Sequence, residues 1–149
     1  MEIERKFLIK KMPDLTNVQA IDIEQGYLSF FPEVRTRKKD EKFYLTVKSD
    51  GDIAREEYEI EISQNTYEEL SDKVAGLVLK KRRYEIPLNK VDVAELDIYE
   101  NFEDLKVVEV EFIDIDSANN FEVPCWFGTE VTRDKEFRNK TLAQIISNV

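Results

Sequence analysis

Apolar and polar residues alternate with a period of two over most of this chain. In the N-terminal run EIERKFLI, Glu2, Glu4 and Lys6 alternate with Ile3, Arg5 and Phe7. In an extended strand the charged triplet therefore lines one face, with Ile3, Phe7 and Ile9 on the other. Similar runs rich in Ile, Val, Tyr and Phe cover roughly 2–10, 22–31, 33–38, 42–49, 53–62, 78–87, 91–100 and 106–113, and each predicts a strand. Asp50-Gly51 sits between two of them and predicts a hairpin. Helical spacing appears in three places. Thr66 with Glu69 forms a capping-box pattern ahead of Tyr67, Leu70, Val74 and Leu77, with Gly76 near the end. A short helix is expected after Asp116, and Leu142, Ile145, Ile146 and Val149 recur at i, i+3, i+4 and i+7. The expected class is α+β, dominated by an antiparallel sheet of eight strands that is rolled or closed.

The polar half of this alternation is almost purely ionic. Arg35 and Arg37 share a face, as do Thr46 and Lys48, then Arg55, Glu57, Glu59 and Glu61. Lys81 and Arg83 follow, then Glu95 and Asp97, then Glu109 and Glu111. Behind them lie Tyr58, Ile60 and Ile62; Tyr84 and Ile86; Leu96 and Ile98; and Val108, Val110 and Phe112. An antiparallel sheet with one face in water produces the same alternation. Two details favour a different arrangement. Ser, Thr, Asn and Gln are scarce on this face, and the signs segregate, with acidic pairs on the first, seventh and eighth runs and basic pairs on the third and sixth. A closed sheet could turn that face inward and make a tunnel. Charges there are costly to dehydrate unless they pair or bind ions. Carboxylates hold hard divalent cations, while Arg and Lys hold phosphoryl oxygens. Glu2 and Glu4, about 7 Å apart along a strand, can converge on a cation, with Lys6 one step further to hold an anion.

Bulk properties narrow the choice. At 149 residues without a Pro/Gly/Ser-rich linker, the chain reads as a single domain over 1–149. A net charge of −10 argues against a nucleic-acid polymer or an anionic membrane as partner. It leaves room for a small polyanion held by local cations and metal. The absence of histidine excludes His-based triads, His-ligated zinc and imidazole acid–base catalysis. One cysteine, Cys125, permits no intrachain disulfide and points to a reducing, cytoplasmic compartment. No run approaches transmembrane length.

The motifs, taken in order, resemble the CYTH, or triphosphate tunnel metalloenzyme, superfamily over nearly the whole chain. They are Glu2-x-Glu4-x-Lys6 in EIERKF, QGYLS at 25–29, VRTRK from 34, FYLTVK from 43, REEYEIEI from 55, KKRRYEIP, LDIY, VVEVEF and the closing PCWFGTEVTRDKEFRNKTLA. The usual Gly-Leu after the seventh strand reads Asp104-Leu105 here. The resemblance implies an eight-stranded antiparallel closed β-barrel, a triphosphate tunnel, with flanking helices and a C-terminal helix that plugs it. It implies one or two divalent ions, Mg²⁺ or Mn²⁺, and metal-dependent hydrolysis of a terminal phosphoanhydride. Carried over by position, Glu2, Glu4, Glu109 and Glu111 are the expected metal ligands. Lys6, Arg35, Arg37, Lys48, Lys81 and Arg83 are the expected phosphate ligands. Glu57, Glu59 and Lys6 are the expected catalytic residues, supported by Arg55 and Asp97. The EIERKF form is similar to small bacterial tripolyphosphatase-like members, so inorganic tripolyphosphate is the expected substrate. Class IV-type adenylate cyclase, thiamine or nucleoside triphosphatase and a non-catalytic polyphosphate-binding module are the alternatives. Exposed apolar residues outside the tunnel are compatible with a homodimer.

Overall fold

Each run of alternating residues contains a strand in a computed structural model of the chain, which describes residues 1–51, 53–74, 78–139 and 141–142. The strands are β1 (Glu2–Ile9), β2 (Ala20–Phe30), β3 (Glu33–Lys39), β4 (Lys42–Lys48), β5 (Ala54–Arg55), β6 (Glu57–Ile62), β7 (Leu79–Pro87), β8 (Val93–Tyr99), β9 (Lys106–Phe112) and β10 (Phe127–Glu130). Two helices, α1 (Gln64–Ser71) and α2 (Ile115–Asn119), and a 3-10 turn at Lys135–Phe137 complete the described elements. The expected fifth strand is split into β5 and β6, and β10 was not expected.

All pairings are antiparallel, in the order β10-β1-β9-β8-β7-β2-β3-β4-β6, with β5 pairing β1. The sheet curls without a continuous closing ladder, so the expected hydrogen-bonded barrel is found only as a curled sheet. Glu56 marks where closure fails. Its amide donates to Ser49 Oγ at 2.9 Å and its carbonyl accepts from the Ser49 amide at 3.0 Å. That exchange ties Glu56 to the end of β4 and separates β5 from β6. Closure is left to two residue pairs, Glu2 with Arg55 and Ile3 with Ala54, and to the Glu4 amide donating to the Ile53 carbonyl at 3.0 Å. The connection at Asp50-Gly51 is thus a longer loop whose return arm reaches across to β1.

Apolar side chains are buried in two places. Ile3, Phe7, Leu96, Val108, Val110 and Phe112 lie on the outer face of β1, β8 and β9, packed with Ala118 of α2 and Phe127 of β10. A second cluster of Tyr27, Leu79, Tyr99, Val107 and Leu142 lies on the charged side of the sheet. On β7, β8 and β9, its members Leu79, Tyr99 and Val107 each stand two residues beyond an inward charge, at Lys81, Asp97 and Glu109. An apolar rung therefore adjoins the charged one. The outer face of β6 has no such cover: Tyr58 is 70% and Ile60 60% exposed, although their alternation with acids reads as a core face.

The helices begin where short polar side chains meet free amides. Ser63, rather than Thr66, caps α1, accepting the Thr66 amide at 3.1 Å, and Tyr67 is its buried residue. Asp114 caps α2 through the Ser117 amide at 2.7 Å. Gly76, Leu77 and the expected helix beyond Leu142 lie outside the described residues. No helix among the described residues is long and apolar enough to cross a membrane. Asp104 has φ of 63°, a conformation that suits glycine better than a residue with a Cβ. Asp104→Gly is expected to stabilise the protein or leave it unchanged, by no more than ~1 kcal/mol. A urea denaturation midpoint that falls would contradict this.

Candidate active site

A strand buried on both faces is normally apolar throughout, yet the concave face of this sheet is charged. Lys6, Arg35, Arg37, Lys48, Lys81, Arg83, Asp97 and Glu109 are all buried there. Most of them surround a cavity of about 230 Å³, lined among the described residues by nine carboxylates and eight cations. Nearly every sequence-predicted site residue meets in it: Glu2, Glu4 and Lys6 from β1; Arg35 and Arg37 from β3; Lys48 from β4; Arg55 from β5; Glu57 and Glu59 from β6; Arg83 from β7; Glu109 and Glu111 from β9. Lys81 and Asp97 do not line it. The basic register of KKRR is settled by burial, with Lys81 and Arg83 inside and Lys80 and Arg82 exposed.

Ion pairs form both between neighbouring strands and across the cavity between strands that are not paired. Lys6 Nζ lies 3.0 Å from Glu109, directly across the β1–β9 ladder, and also donates to the Phe137 carbonyl at 2.9 Å. Lys48 Nζ lies 2.9 Å from Glu2 and 3.9 Å from Glu57. Arg55 reaches Glu2, Glu4 and Glu33 at 3.4, 3.6 and 3.4 Å. Asp97 is fully buried between Arg83 and Lys81, with Nε and Nζ each at 2.8 Å, while Arg83 Nη1 meets Glu95 at 2.7 Å. Lys81 also stands 5.4 Å from the centre of the Tyr99 ring. Arg37 differs. Among the described residues it has no ion pair, and its buried Nε has no hydrogen-bond partner. Burial, with Arg35 and Arg83 nearby, lowers its pKa to about 10.

The carboxylates fall into two groups. Burial opposes ionisation of Glu109 and Glu2, but adjacent cations prevail. Lys6, Arg83 and Lys81 hold Glu109 well below the usual carboxylate range, and Lys48 and Arg55 bring Glu2 to about 2. Glu4 is pushed up to about 8 by burial and by the charges of Glu109 and Glu2. Glu111, directly opposite Glu4, is raised by burial, Glu2 and Glu95. This surplus of negative charge on oxygen donors suits a hard divalent cation. Among the described residues the acids are not gathered into a ready cluster of three, because lysines and arginines hold them apart. The donor chemistry, carboxylate oxygen throughout, is the type a hard divalent cation takes, and the described acids would have to regroup to hold one.

Sequence reasoning missed Glu33, Lys39, Asp134 and Arg138 as lining residues and gave Glu95, which it placed on the charged face, no role. Glu33 was legible, since it continues the alternation of Arg35 and Arg37; Glu95 likewise stands two residues before Asp97. Arg138, whose Nη2 donates to the Gly51 carbonyl at 3.0 Å, carries no period-two signal.

No protein-family profile matches the chain. An inorganic triphosphatase from Nitrosomonas europaea is 40% identical over 146 residues, spanning 95% of this chain and 96% of that protein. A crystal structure of an inorganic triphosphatase superposes with a TM-score of 0.70 at 39% identity, covering 96% of this chain and 94% of that one. A Hippeastrum protein described as an adenylyl cyclase with a dominant triphosphatase activity has a TM-score of 0.61 at 18% identity, over 80% of this chain and 83% of that one. That last likeness is one of fold alone.

Asp97 makes the stability prediction. Removing one member of a buried ion pair strands its partners, so Asp97→Asn should cost about 3–5 kcal/mol in urea denaturation. Burial opposes ionisation of Asp97, but Arg83 and Lys81 lower its pKa below the unfolded value. Its stabilising contribution is therefore complete above the ordinary carboxylate range and is lost as pH falls through and below it. Wild-type stability should drop more steeply with acid than that of Asp97→Asn, and equal slopes would contradict this.

Proposed function

The chain belongs to the CYTH, or triphosphate tunnel metalloenzyme, superfamily, and on that premise we propose that it hydrolyses the terminal phosphoanhydride of inorganic tripolyphosphate with Mg²⁺ or Mn²⁺. The charge balance of the cavity carries this reading. Among the described residues nine carboxylates face eight cations, and burial with neighbouring acids already pushes Glu4 up to about 8, so a polyanion enters favourably only with cations of its own. Size and lining favour an inorganic substrate. About 230 Å³ is below the roughly 300–1,000 Å³ of sites for drug-sized ligands. Phe137 is the only aromatic residue lining the cavity among the described residues, leaving little to stack a nucleobase or thiazolium ring.

In the proposed reaction, water attacks the terminal phosphorus, the bond to the bridging oxygen breaks, and phosphate and diphosphate leave. Glu2, Glu4, Glu109 and Glu111 would hold the metal, which when bound neutralises phosphate charge and polarises phosphoryl oxygen. Arg37 is the readiest phosphate ligand because no carboxylate must be displaced from it. Lys6, Arg35, Lys48 and Arg83 exchange carboxylate partners for phosphoryl oxygens, while Lys81 acts from behind Asp97. Glu59, with Glu57 beside it, orients the attacking water and accepts its proton. Phosphoryl transfer of this kind is chiefly positioning and electrostatics. The curled sheet is read as a tunnel completed by β5. The exposed Cys125 suits a reducing, cytoplasmic setting, and exposed Tyr58 and Ile60 suit a homodimer.

Phosphate release from tripolyphosphate, ATP and thiamine triphosphate, each with Mg²⁺, Mn²⁺ or EDTA, tests the proposal. Tripolyphosphate should be hydrolysed fastest, EDTA should abolish turnover, and the ATP wells should contain no cyclic AMP. Cyclic AMP would make the protein a cyclase, and tight tripolyphosphate binding without release would make it a binding module. Arg37→Ala should lower kcat/KM on the order of 10²–10³-fold, as loss of a transition-state donor does. Wild-type turnover by Glu4→Ala would remove Glu4 from the metal site.

A further inference from the structure

Glu59 is poorly placed to hold a fixed direction unaided. It stands on β6, an edge strand of the curled sheet, and is exposed to solvent. Among the described residues its carboxylate has one hydrogen-bond partner, the Thr46 hydroxyl, which donates to Oε2 at 2.9 Å. Thr46 has no exposed surface. It lies on the charged face, directly opposite Arg35 on β3 and Glu59 on β6.

A threonine in a strand has a restricted χ1, and its hydroxyl carries a single proton to donate. Here that proton goes to Glu59. A hydrogen bond to an ionised acceptor is roughly twice as strong as a neutral one. Holding Oε2 leaves Oε1 as the oxygen available to water in the cavity. We propose that Thr46 is a positioning residue for hydrolysis, aiming the Glu59 carboxylate at the attacking water through this hydrogen bond. The proposal rests on the triphosphatase reading and on the role given there to Glu59. Thr46 does not line the cavity among the described residues; it acts through Glu59. A small β-branched residue would also be found here if it only filled space between two charged neighbours, so the test must separate the hydroxyl from the shape.

Thr46→Val keeps the branching and removes the donor, whereas Thr46→Ser keeps the donor and removes a methyl. Tripolyphosphate hydrolysis at saturating Mg²⁺ is measured for both, for Glu59→Gln and for Thr46→Val/Glu59→Gln, with thermal unfolding of each. Thr46→Val should lower kcat about 10- to 100-fold, the scale of a misplaced catalytic group, with KM within about 3-fold. Thr46→Ser should stay within about 3-fold of wild type. The double variant should be no slower than Glu59→Gln, because the hydroxyl has nothing left to aim. If Thr46→Val does not fold, Thr46→Ala removes the same donor and should show the same loss. Wild-type kcat in the hydroxyl-free variant overturns the proposal. So does a serine variant as slow as valine, or a double variant slower than Glu59→Gln by the full Thr46→Val factor. A fully active Glu59→Gln removes the proposal together with the role of Glu59, leaving the triphosphatase reading intact. A wild-type protein that releases no phosphate removes that reading as well.

Discussion

Asp97 has no exposed surface, yet Arg83 Nε and Lys81 Nζ stand 2.8 Å from its two oxygens. An isolated carboxylate there would be neutralised rather than tolerated. Pairing is what lets a sheet turn its charged face inward, and the same condition repeats around the cavity. Lys6 needs Glu109, Lys48 needs Glu2, and Arg55 needs the acids on three sides of it. Each strand must therefore present its charges to charges of the other sign, either on its neighbour or across the cavity. The antiparallel ladder meets that condition by placing Lys6 opposite Glu109 and Arg83 opposite Asp97.

A fully paired interior would be inert, and two departures from pairing make this one reactive. Among the described residues Arg37 has no carboxylate within ion-pair distance, and its buried Nε has no hydrogen-bond partner. Glu4 and Glu111 face one another with more negative charge nearby than the local cations offset. One is an opening for phosphate and the other for a divalent cation, so both can be met by a single metal–polyphosphate ligand. Binding would exchange internal ion pairs for external ones. The gap along β6 leaves one wall less constrained than the others, and it is on that wall that Glu57 and Glu59 stand.

Much of this was legible in the chain. Period-two alternation located the strands, the charged face and nearly all of the residues that meet in the cavity, because strand geometry alone decides which side chains share a face. Glu33 was legible by the same rule and was passed over. Capping was readable in kind but not in place, since Ser63 and Thr66 are both competent caps and only the path of the chain out of β6 chose between them. The outer face of β6 was misleading. Tyr58 and Ile60 alternate as core residues do, but no element of the described protein covers them.

The sequence by itself determined which residues carry charge, how they alternate, and that imidazole chemistry and an intrachain disulfide play no part. Those properties are local, requiring only residue identity and the two-residue repeat of a strand. Only the tertiary structure decided that the charged face lies inside, that Lys81 withdraws behind Asp97 while Arg37 is left without an ion pair, and that the sheet curls without a closing ladder. Each of these depends on contacts between strands far apart in the chain, and on the break at Glu56, which is tied to Ser49. A side chain's direction follows from its own strand, but the charge it meets is set by the strand beside it.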